Sequence, residues 1–259
     1  MQAAKLFDLS GQIALVTGAA GGLGLAIAEV LAANGAFVHM TDIDGAALER
    51  AAKRLAQDGF KIGMQTLDAA DRKGIETCVA ALAKQHGRLD IAVANAGMSA
   101  GQEGRVLDTA WGSWDKVLDL NLTGVFALLR AAAAEMKLRK SGRIVVNASI
   151  AGLRGERLVG YAYAATKAAV CNLVRQAAIE LSPFGICVNA IAPGPFRTNI
   201  AGGRLHRDPD FARQFEEEMP MARIAEPSEI KGLALLLASP AASYITGTVV
   251  PIDGGALAW

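Results

Sequence analysis

The stretch Thr17-Gly18-Ala19-Ala20-Gly21-Gly22-Leu23-Gly24 follows an apolar run, Ile13–Thr17, and opens an Ala-rich segment of helical spacing at 22–34. A strand that enters a glycine turn and leaves it as a helix is a cradle for an anion. The first glycine permits the sharp turn, a second lets backbone N–H groups approach a pyrophosphate, and the last lets the helix pack on the strand. The positive N-terminal end of that helix then faces the anion. Glycine spacing alone is common; the strand before it and the helix after it give this one its meaning.

Outward from the turn, short apolar runs alternate with longer amphipathic ones. Strands are expected at 13–17, 37–41, 61–67, 91–95, 143–149, 187–192 and 248–252. Helices are expected at 22–34, 45–57, 72–85, 114–138, 163–181 and 228–237, with Gly35 stopping the first. Such a rhythm implies parallel strands joined by right-handed helical crossovers. The expected fold class is therefore α/β: a single-domain, Rossmann-like, doubly wound parallel sheet of about seven strands with helices on both faces. At 259 residues the chain suits one dinucleotide-binding and catalytic domain, 1–259. One region breaks the rhythm: 193–227 turns polar and irregular, with Gly202, Gly203, Pro209, Pro220 and the acidic run Glu216, Glu217, Glu218. Ligands of open α/β sheets bind beyond the carboxyl ends of the strands, so an insertion at about 195–226 is expected to serve as a substrate lid.

Composition narrows the function. With 26 basic and 25 acidic residues, net +1, the chain has no long-range field for nucleic acid or an anionic membrane, and neither partner is expected. A content of 52% hydrophobic and 5% aromatic residues excludes a disordered chain and argues against a β-sandwich. Cys78, Cys171 and Cys187 are odd in number and scattered, and read as buried free thiols of a cytoplasmic protein. His39, His86 and His206 lack ligand spacing, so no metal is expected. Residues 1–10 hold Lys5 and Asp8 and no apolar core of a signal peptide. The uncharged stretch 232–252 approaches the length of a membrane span, but Pro240, Gly247 and Pro251 break it into helix, turn and strand.

The second strand leads to Asp42, about 20 residues past the turn, where a carboxylate can accept both hydroxyls of an adenosine ribose. The same carboxylate would repel a 2′-phosphate, by about 1 kcal/mol in water and about 4 kcal/mol at an effective dielectric of 20. No Arg or Lys stands in the turn or immediately after Asp42, so the expected cofactor is NAD rather than NADP. Asp44 reads as the cap of the helix at 45–57. Asp68 reads equally as an adenine-side contact or as the cap of the helix beginning near Arg72.

Further motifs follow in order: Asn95-Ala96-Gly97, then Asn121 within Asp119-Leu120-Asn121-Leu122-Thr123-Gly124, Ser149 within Asn147-Ala148-Ser149, Tyr163 and Lys167 in a Tyr-x-x-x-Lys pair, Pro193-Gly194, and Thr198. Each alone is weak: Tyr-x-x-x-Lys is only a helical i, i+4 pair, and Ser149 by itself a turn former. Together, and with Thr17, Gly18, Gly22 and Gly24 meeting the pattern Thr-Gly-x-x-x-Gly-x-Gly, they make the chain resemble the short-chain dehydrogenase/reductase family over nearly its whole length. The resemblance implies a catalytic tetrad of Asn121, Ser149, Tyr163 and Lys167. It implies cofactor contacts at Gly18, Gly22, Leu23, Gly24, Asp42, Asp68, Ala69, Asn95, Gly97, Tyr163, Lys167, Pro193, Gly194, Phe196 and Thr198. Free tyrosine has a pKa near 10, too high for a base at neutral pH, so Lys167 one helical turn away is expected to favour the phenolate, helped by the positive nicotinamide. Tyr163 would exchange the substrate hydroxyl proton while hydride passes to or from the nicotinamide, and Ser149 would steady the same oxygen. By resemblance, Asn121 holds a helix irregularity and a water that links Lys167 to solvent.

The substrate is expected among Ser149, Ile150, Ala151, Tyr163, Met98, Pro195 and the lid, with Arg154 and Arg157 as candidates to hold a carboxylate or a hydroxylated group. Tyr161, whose i+4 residue is Ala165, reads as a pocket wall. The expected activity is oxidoreduction of a small to medium secondary alcohol or ketone: a polyol, sugar acid, hydroxy acid, cyclic alcohol or steroid-like compound. Alternatives are a 3-oxoacyl reductase, which usually prefers NADPH, and a non-catalytic nucleotide-binding regulator, whose expected sign is a broken tetrad. The Ala-rich faces at 114–138 and 163–181 and the apolar tail 254–259 read as subunit contacts, and the resemblance implies a homotetramer or homodimer.

Overall fold

Seven apolar runs pair into one parallel sheet: β1 (Ile13–Thr17), β2 (Phe37–Asp42), β3 (Ile62–Thr66), β4 (Ile91–Ala94), β5 (Gly142–Asn147), β6 (Ile186–Pro193) and β7 (Val249–Ile252), in the order β3-β2-β1-β4-β5-β6-β7. The computed structural model describes residues 3–99 and 106–258. A turn of helix near the start, α1 (Ala3–Leu6), precedes the sheet. The helices α2 (Gly22–Ala33), α3 (Gly45–Gln57), α4 (Arg72–His86), α5 (Trp111–Leu118), α6 (Val125–Arg139), α7 (Tyr161–Leu181), α8 (Arg204–Arg207), α9 (Pro209–Glu218) and α10 (Lys231–Ala238) follow in chain order.

The inner strands read as continuous apolar runs because both of their faces are covered. Every residue of β1 is buried, yet Ile13 and Leu15 join the core under α4, α6 and α7, whereas Ala14 and Val16 join the core under α2, α3 and α10. Between β1 and β4 the order of winding reverses, and this switch point opens a crevice at the carboxyl ends. Thr17 closes the floor of it: its hydroxyl donates to the Val93 carbonyl (3.3 Å) and accepts from the N–H groups of Asn95 (3.2 Å) and Ala96 (3.1 Å).

The structure departs from the expected elements in two places that matter. The helix expected at 114–138 is α5, one π-helical turn at Asp119–Gly124, and α6. The combined segment Trp111–Arg139 is long and apolar enough to cross a membrane, but here it packs on α4, α7 and β5. The stretch 195–226, read as irregular, carries α8 and α9. The reason is local: the Asp208 carboxylate accepts from the Phe211 N–H (3.0 Å), Pro209 takes the first helical position, and Phe211, Phe215 and Met219 repeat at helical spacing. The excursion leaves and returns at one point, where Phe196 bridges Ala225, and Arg197 holds its ends together through Glu216 (3.2 Å) and Glu226 (3.3 Å).

Candidate active site

The carboxyl ends of the strands and the α8–α9 excursion enclose a cavity of about 630 Å³. Every residue expected to touch the cofactor lines it, as do Ser149, Ile150, Ala151, Met98 and Pro195. Gly18 (φ +64°) and Gly22 (φ +54°) stand in the left-handed region, and a side chain on Gly24 would overlap the Gly18 carbonyl, so the turn admits only glycine there. The first turn of α2 begins at Gly21 with no side-chain cap, leaving its N–H groups for a ligand. The Asn95 amide donates to the carbonyls of Thr17 (2.9 Å) and Gly18 (3.0 Å), fixing the turn from below. A bare-backbone cradle, an uncapped helix end and a strand-end carboxylate at Asp42 together fit a dinucleotide.

The Asp42 carboxylate accepts from the N–H groups of Ala20 (3.0 Å) and Asp44 (3.1 Å), which aims it across the end of the turn. Asp44 caps α3 through the Ala47 N–H (2.9 Å), as expected. Of the two readings of Asp68, the cap fails: its carboxylate accepts from Ala70 (2.8 Å), Asp71 takes the N-cap position of α4, and Asp68 lines the cavity.

At the other end, β5 delivers Ser149 in extended backbone, where its hydroxyl accepts from the Ala151 N–H (3.1 Å) and starts a short 3-10 turn. Tyr163 and Lys167 project from successive turns of α7. The Ser149 hydroxyl lies near enough to the Tyr163 phenol to favour its ionised form. The Lys167 Nζ lies 5.5 Å from the centre of the Tyr163 ring and donates to the Asn147 carbonyl (2.7 Å). Burial lowers the Lys167 ammonium to about 8 and raises the Tyr163 phenol, the Ser149 hydroxyl opposing that rise only in part. Burial taken alone therefore favours the neutral phenol.

Asn121 alone among the tetrad does not line the cavity. It is fully buried in the π turn, where its amide accepts from the Met98 N–H and donates to the Met98 carbonyl, both at 2.9 Å. It sits behind Gly97: a Cβ built there would lie 3.3 Å from Asn121 Oδ1 and 3.7 Å from Lys167 Nζ. The helix irregularity is thus a consequence of pinning the segment after β4 to α5 and α6.

Several expectations need correction. Arg154 does not reach the cavity wall; its guanidinium donates to Glu156 (2.7 Å) and to the Ala256 carbonyl. Arg157 is exposed, and Tyr161 turns outward, 47% exposed. Tail residue Ala256 is buried on Ile150 and Met219 of the same chain, so this part of the tail is not a free subunit contact; Trp259 lies outside the described residues. Sequence reasoning missed Glu156, Asn147 and the aromatic pair Phe211 and Phe215, all of which line the cavity. The aromatic pair had a signal, the spacing after Pro209; Glu156 had none.

An anion cradle at the switch point of a doubly wound sheet, with a Ser-Tyr-Lys group at the far end of the same cavity, defines a dinucleotide-dependent oxidoreductase. The family profile described as enoyl-(acyl carrier protein) reductase matches residues 18–256. Galactitol 2-dehydrogenase (L-tagatose-forming) of Cereibacter sphaeroides is 37% identical, over 98% of each chain. Cyclohexanol dehydrogenase of Rhodococcus sp. strain TK6 is 37% identical, over 95% of this chain and 96% of its own. The crystal structure of a gluconate 5-dehydrogenase from Burkholderia cenocepacia J2315, in complex with NADP and tartrate, superposes with a TM-score of 0.93 at 29% identity, over 100% of both chains. The chain belongs to the short-chain dehydrogenase/reductase family.

Proposed function

We propose that the protein is an NAD-dependent secondary alcohol dehydrogenase and ketone reductase whose proton chemistry is carried by Ser149, Tyr163 and Lys167. The observation that carries this reading is the meeting of Ser149, Tyr163 and Lys167, with Lys167 Nζ 5.5 Å from the Tyr163 ring, in the wall of the cavity that begins at the glycine turn. The residues Gly18, Gly22, Leu23 and Gly24 would hold the pyrophosphate, Asp42 the adenosine ribose, and Asp68 and Ala69 the adenine side. Asn95, Gly97, Pro193, Gly194, Phe196 and Thr198 would line the path to the nicotinamide. The nicotinamide supplies the hydride acceptor or donor and, when oxidised, one positive charge.

The chain's own residues manage the proton. Tyr163 takes it from the substrate hydroxyl in oxidation and returns it to the carbonyl oxygen in reduction. Ser149, beside Tyr163 in the same wall, donates to the same substrate oxygen and steadies its charge. Lys167, held by the Asn147 carbonyl, keeps a cation under the phenol at neutral pH, because its pKa remains at about 8 even after burial. Asn121 acts by position, keeping Met98 and Gly97 against Lys167. Because Tyr163 must lose its proton to start oxidation, alcohol oxidation should rise with pH and ketone reduction fall.

The Asp42 carboxylate, held at the end of the glycine turn, supports NAD, since a 2′-phosphate bound beside it would meet a negative charge. The α8–α9 excursion would act as a lid, since Leu205, Phe211, Phe215 and Met219 line the cavity and its two ends meet at one point. The exposed apolar side chains Trp111, Phe126 and Leu138, with Tyr161 and Ile179 of α7, support a homotetramer or homodimer. The three buried free thiols support a cytoplasmic location. A screen for NADH formation across cyclic alcohols, polyols, hydroxy acids and sterols, with NADP in parallel, tests the reading. NAD-linked turnover of at least one class is the expected result.

A further inference from the structure

We propose that Glu156 sets substrate specificity: its carboxylate accepts a hydrogen bond from a second hydroxyl of an uncharged substrate. On this account the site selects diols and other polyhydroxylated alcohols over simple alcohols, and excludes hydroxy acids. The proposal rests on the alcohol dehydrogenase reading above and narrows its substrate class.

The cavity is chemically uneven. Among the described residues, its charged wall consists of Asp42, Asp44 and Asp68 at the glycine-turn end, Lys167 beneath Tyr163, and Glu156 on the loop between Ser149 and α7. The same cavity is lined by apolar Leu158 and Val159, next along the loop from Glu156, and by the lid side chains Phe211, Phe215 and Met219. The Glu156 side chain is only 6% exposed. A carboxylate at such a place must be paired, and Arg154 pairs it at 2.7 Å. The arginine approaches from outside the wall and is itself anchored on the Ala256 carbonyl. Asp253 in turn fixes that segment by accepting from the N–H groups of Gly255 (3.0 Å) and Leu257 (2.9 Å). The carboxylate is therefore held in one place by the folded tail.

Three consequences follow for a substrate. Arg154 occupies part of the acceptor capacity of a group that can take about four hydrogen bonds, so acceptor sites remain. Glu156 belongs to the cavity wall and Arg154 does not, so on this proposal an entering molecule meets the carboxylate before the compensating cation, and a substrate carboxylate is repelled while a hydroxyl is accepted. A monohydroxy substrate would cover Glu156 without giving it a donor, which a site built around a buried acceptor rejects.

A matched set of six-membered rings tests this: cyclohexanol, cyclohexane-1,4-diol and 4-hydroxycyclohexanecarboxylate. For the wild type, kcat/KM is expected to be about 10- to 100-fold higher for the diol than for cyclohexanol, and lowest for the hydroxy acid. Two variants are compared, Glu156→Gln and the double replacement Arg154→Met with Glu156→Leu, the second leaving no buried charge uncompensated. In both, the diol-to-cyclohexanol ratio should fall, in the double variant to near one, and the hydroxy acid should gain relative to the diol. Calorimetric titration of the same compounds into NADH-saturated protein should show the ratio of Kd values moving in the same direction. A wild type that prefers the hydroxy acid, or a double variant with an unchanged diol-to-cyclohexanol ratio, overturns the role of Glu156 while leaving an alcohol dehydrogenase. Failure to turn over any of the three, while another alcohol of the wider screen is oxidised, overturns the role of Glu156 alone; failure across the whole screen with NAD and NADP overturns the proposed function as well.

Discussion

The two ends of the sheet treat buried polar groups in opposite ways. At the amino end, Asp90 precedes β4, and both oxygens of its carboxylate are bonded from within the chain: it accepts from the Ile13 N–H (2.8 Å) and from both Nε (2.7 Å) and Nη2 (2.6 Å) of Arg88. At the carboxyl end, the helix α2 starts uncapped, the Asn147 Oδ1 is buried without a hydrogen-bond partner, and Lys167 and Tyr163 are shifted in pKa by burial. The same residue chemistry is structural where every bond is made inside the fold and available for a ligand where bonds are left over. Substitutions at the two ends should accordingly separate stability from activity.

The largest effect is expected at the carboxyl end. Tyr163→Phe removes the proton carrier and should lower kcat by about 10³- to 10⁴-fold, or about 4–5 kcal/mol in the barrier, with an unchanged dissociation constant for NADH measured by fluorescence titration. The rise of alcohol oxidation with pH should vanish in the residual activity. A variant that keeps full kcat would move the proton chemistry to another group.

Next in size comes the amino end. Asp90→Ala leaves the Ile13 N–H without its acceptor and Arg88 without its carboxylate, a loss of about 2–4 kcal/mol of stability. Urea unfolding should show the midpoint falling with an unchanged slope. The kcat/KM of the folded fraction should stay within about twofold, since Asp90 lies outside the cavity lining. A large loss of kcat/KM in folded protein would end the separation of the two ends.

Much of this division was legible in the sequence, for physical reasons that differ by element. Parallel strands covered on both faces must be apolar throughout, so β1, β4 and β6 could be read from composition alone. The edge strand β3 is half exposed, and its observed bounds shrink from the expected 61–67 to Ile62–Thr66. The π turn was not legible from spacing and was expected only from the resemblance, because it goes with a pair of hydrogen bonds exchanged between Asn121 and Met98 across the chain. Arg154 and Glu156 stand two residues apart, and which of them faces the cavity is decided by the Ala256 carbonyl far along the chain. Local charge gives no access to a choice made by a distant acceptor. The helix α9 was masked by its acidic run, although Asp208, Pro209 and the apolar spacing after them spell a helix start.

A smaller effect tests the adenosine side of the carboxyl end. Asp42→Ala removes the charge that a 2′-phosphate would meet, an interaction of about 1–4 kcal/mol depending on the effective dielectric. The ratio of kcat/KM with NADP to that with NAD should rise by about 10- to 100-fold, measured on one alcohol. An unchanged ratio would assign the discrimination to another group.

The smallest effect marks where the amino end departs from its own rule. His39 on β2 and His86 at the end of α4 each bury an Nε2 without a partner, and the His86 ring packs against Phe37 at 4.4 Å, tilted by 40°. Burial, with a lesser contribution from His86, lowers the His39 pKa, so the folded protein holds this imidazole neutral where the unfolded chain would begin to protonate it. The unfolded state then binds more protons over that window, and stability present above about pH 6.5 is lost as the pH falls below it. Removing the group by His39→Leu should flatten the decline of Tm between pH 7 and pH 5, by about 1–2 °C for a chain of this size. An equal decline in both proteins would mean that His39 contributes nothing to the acid-side loss of stability.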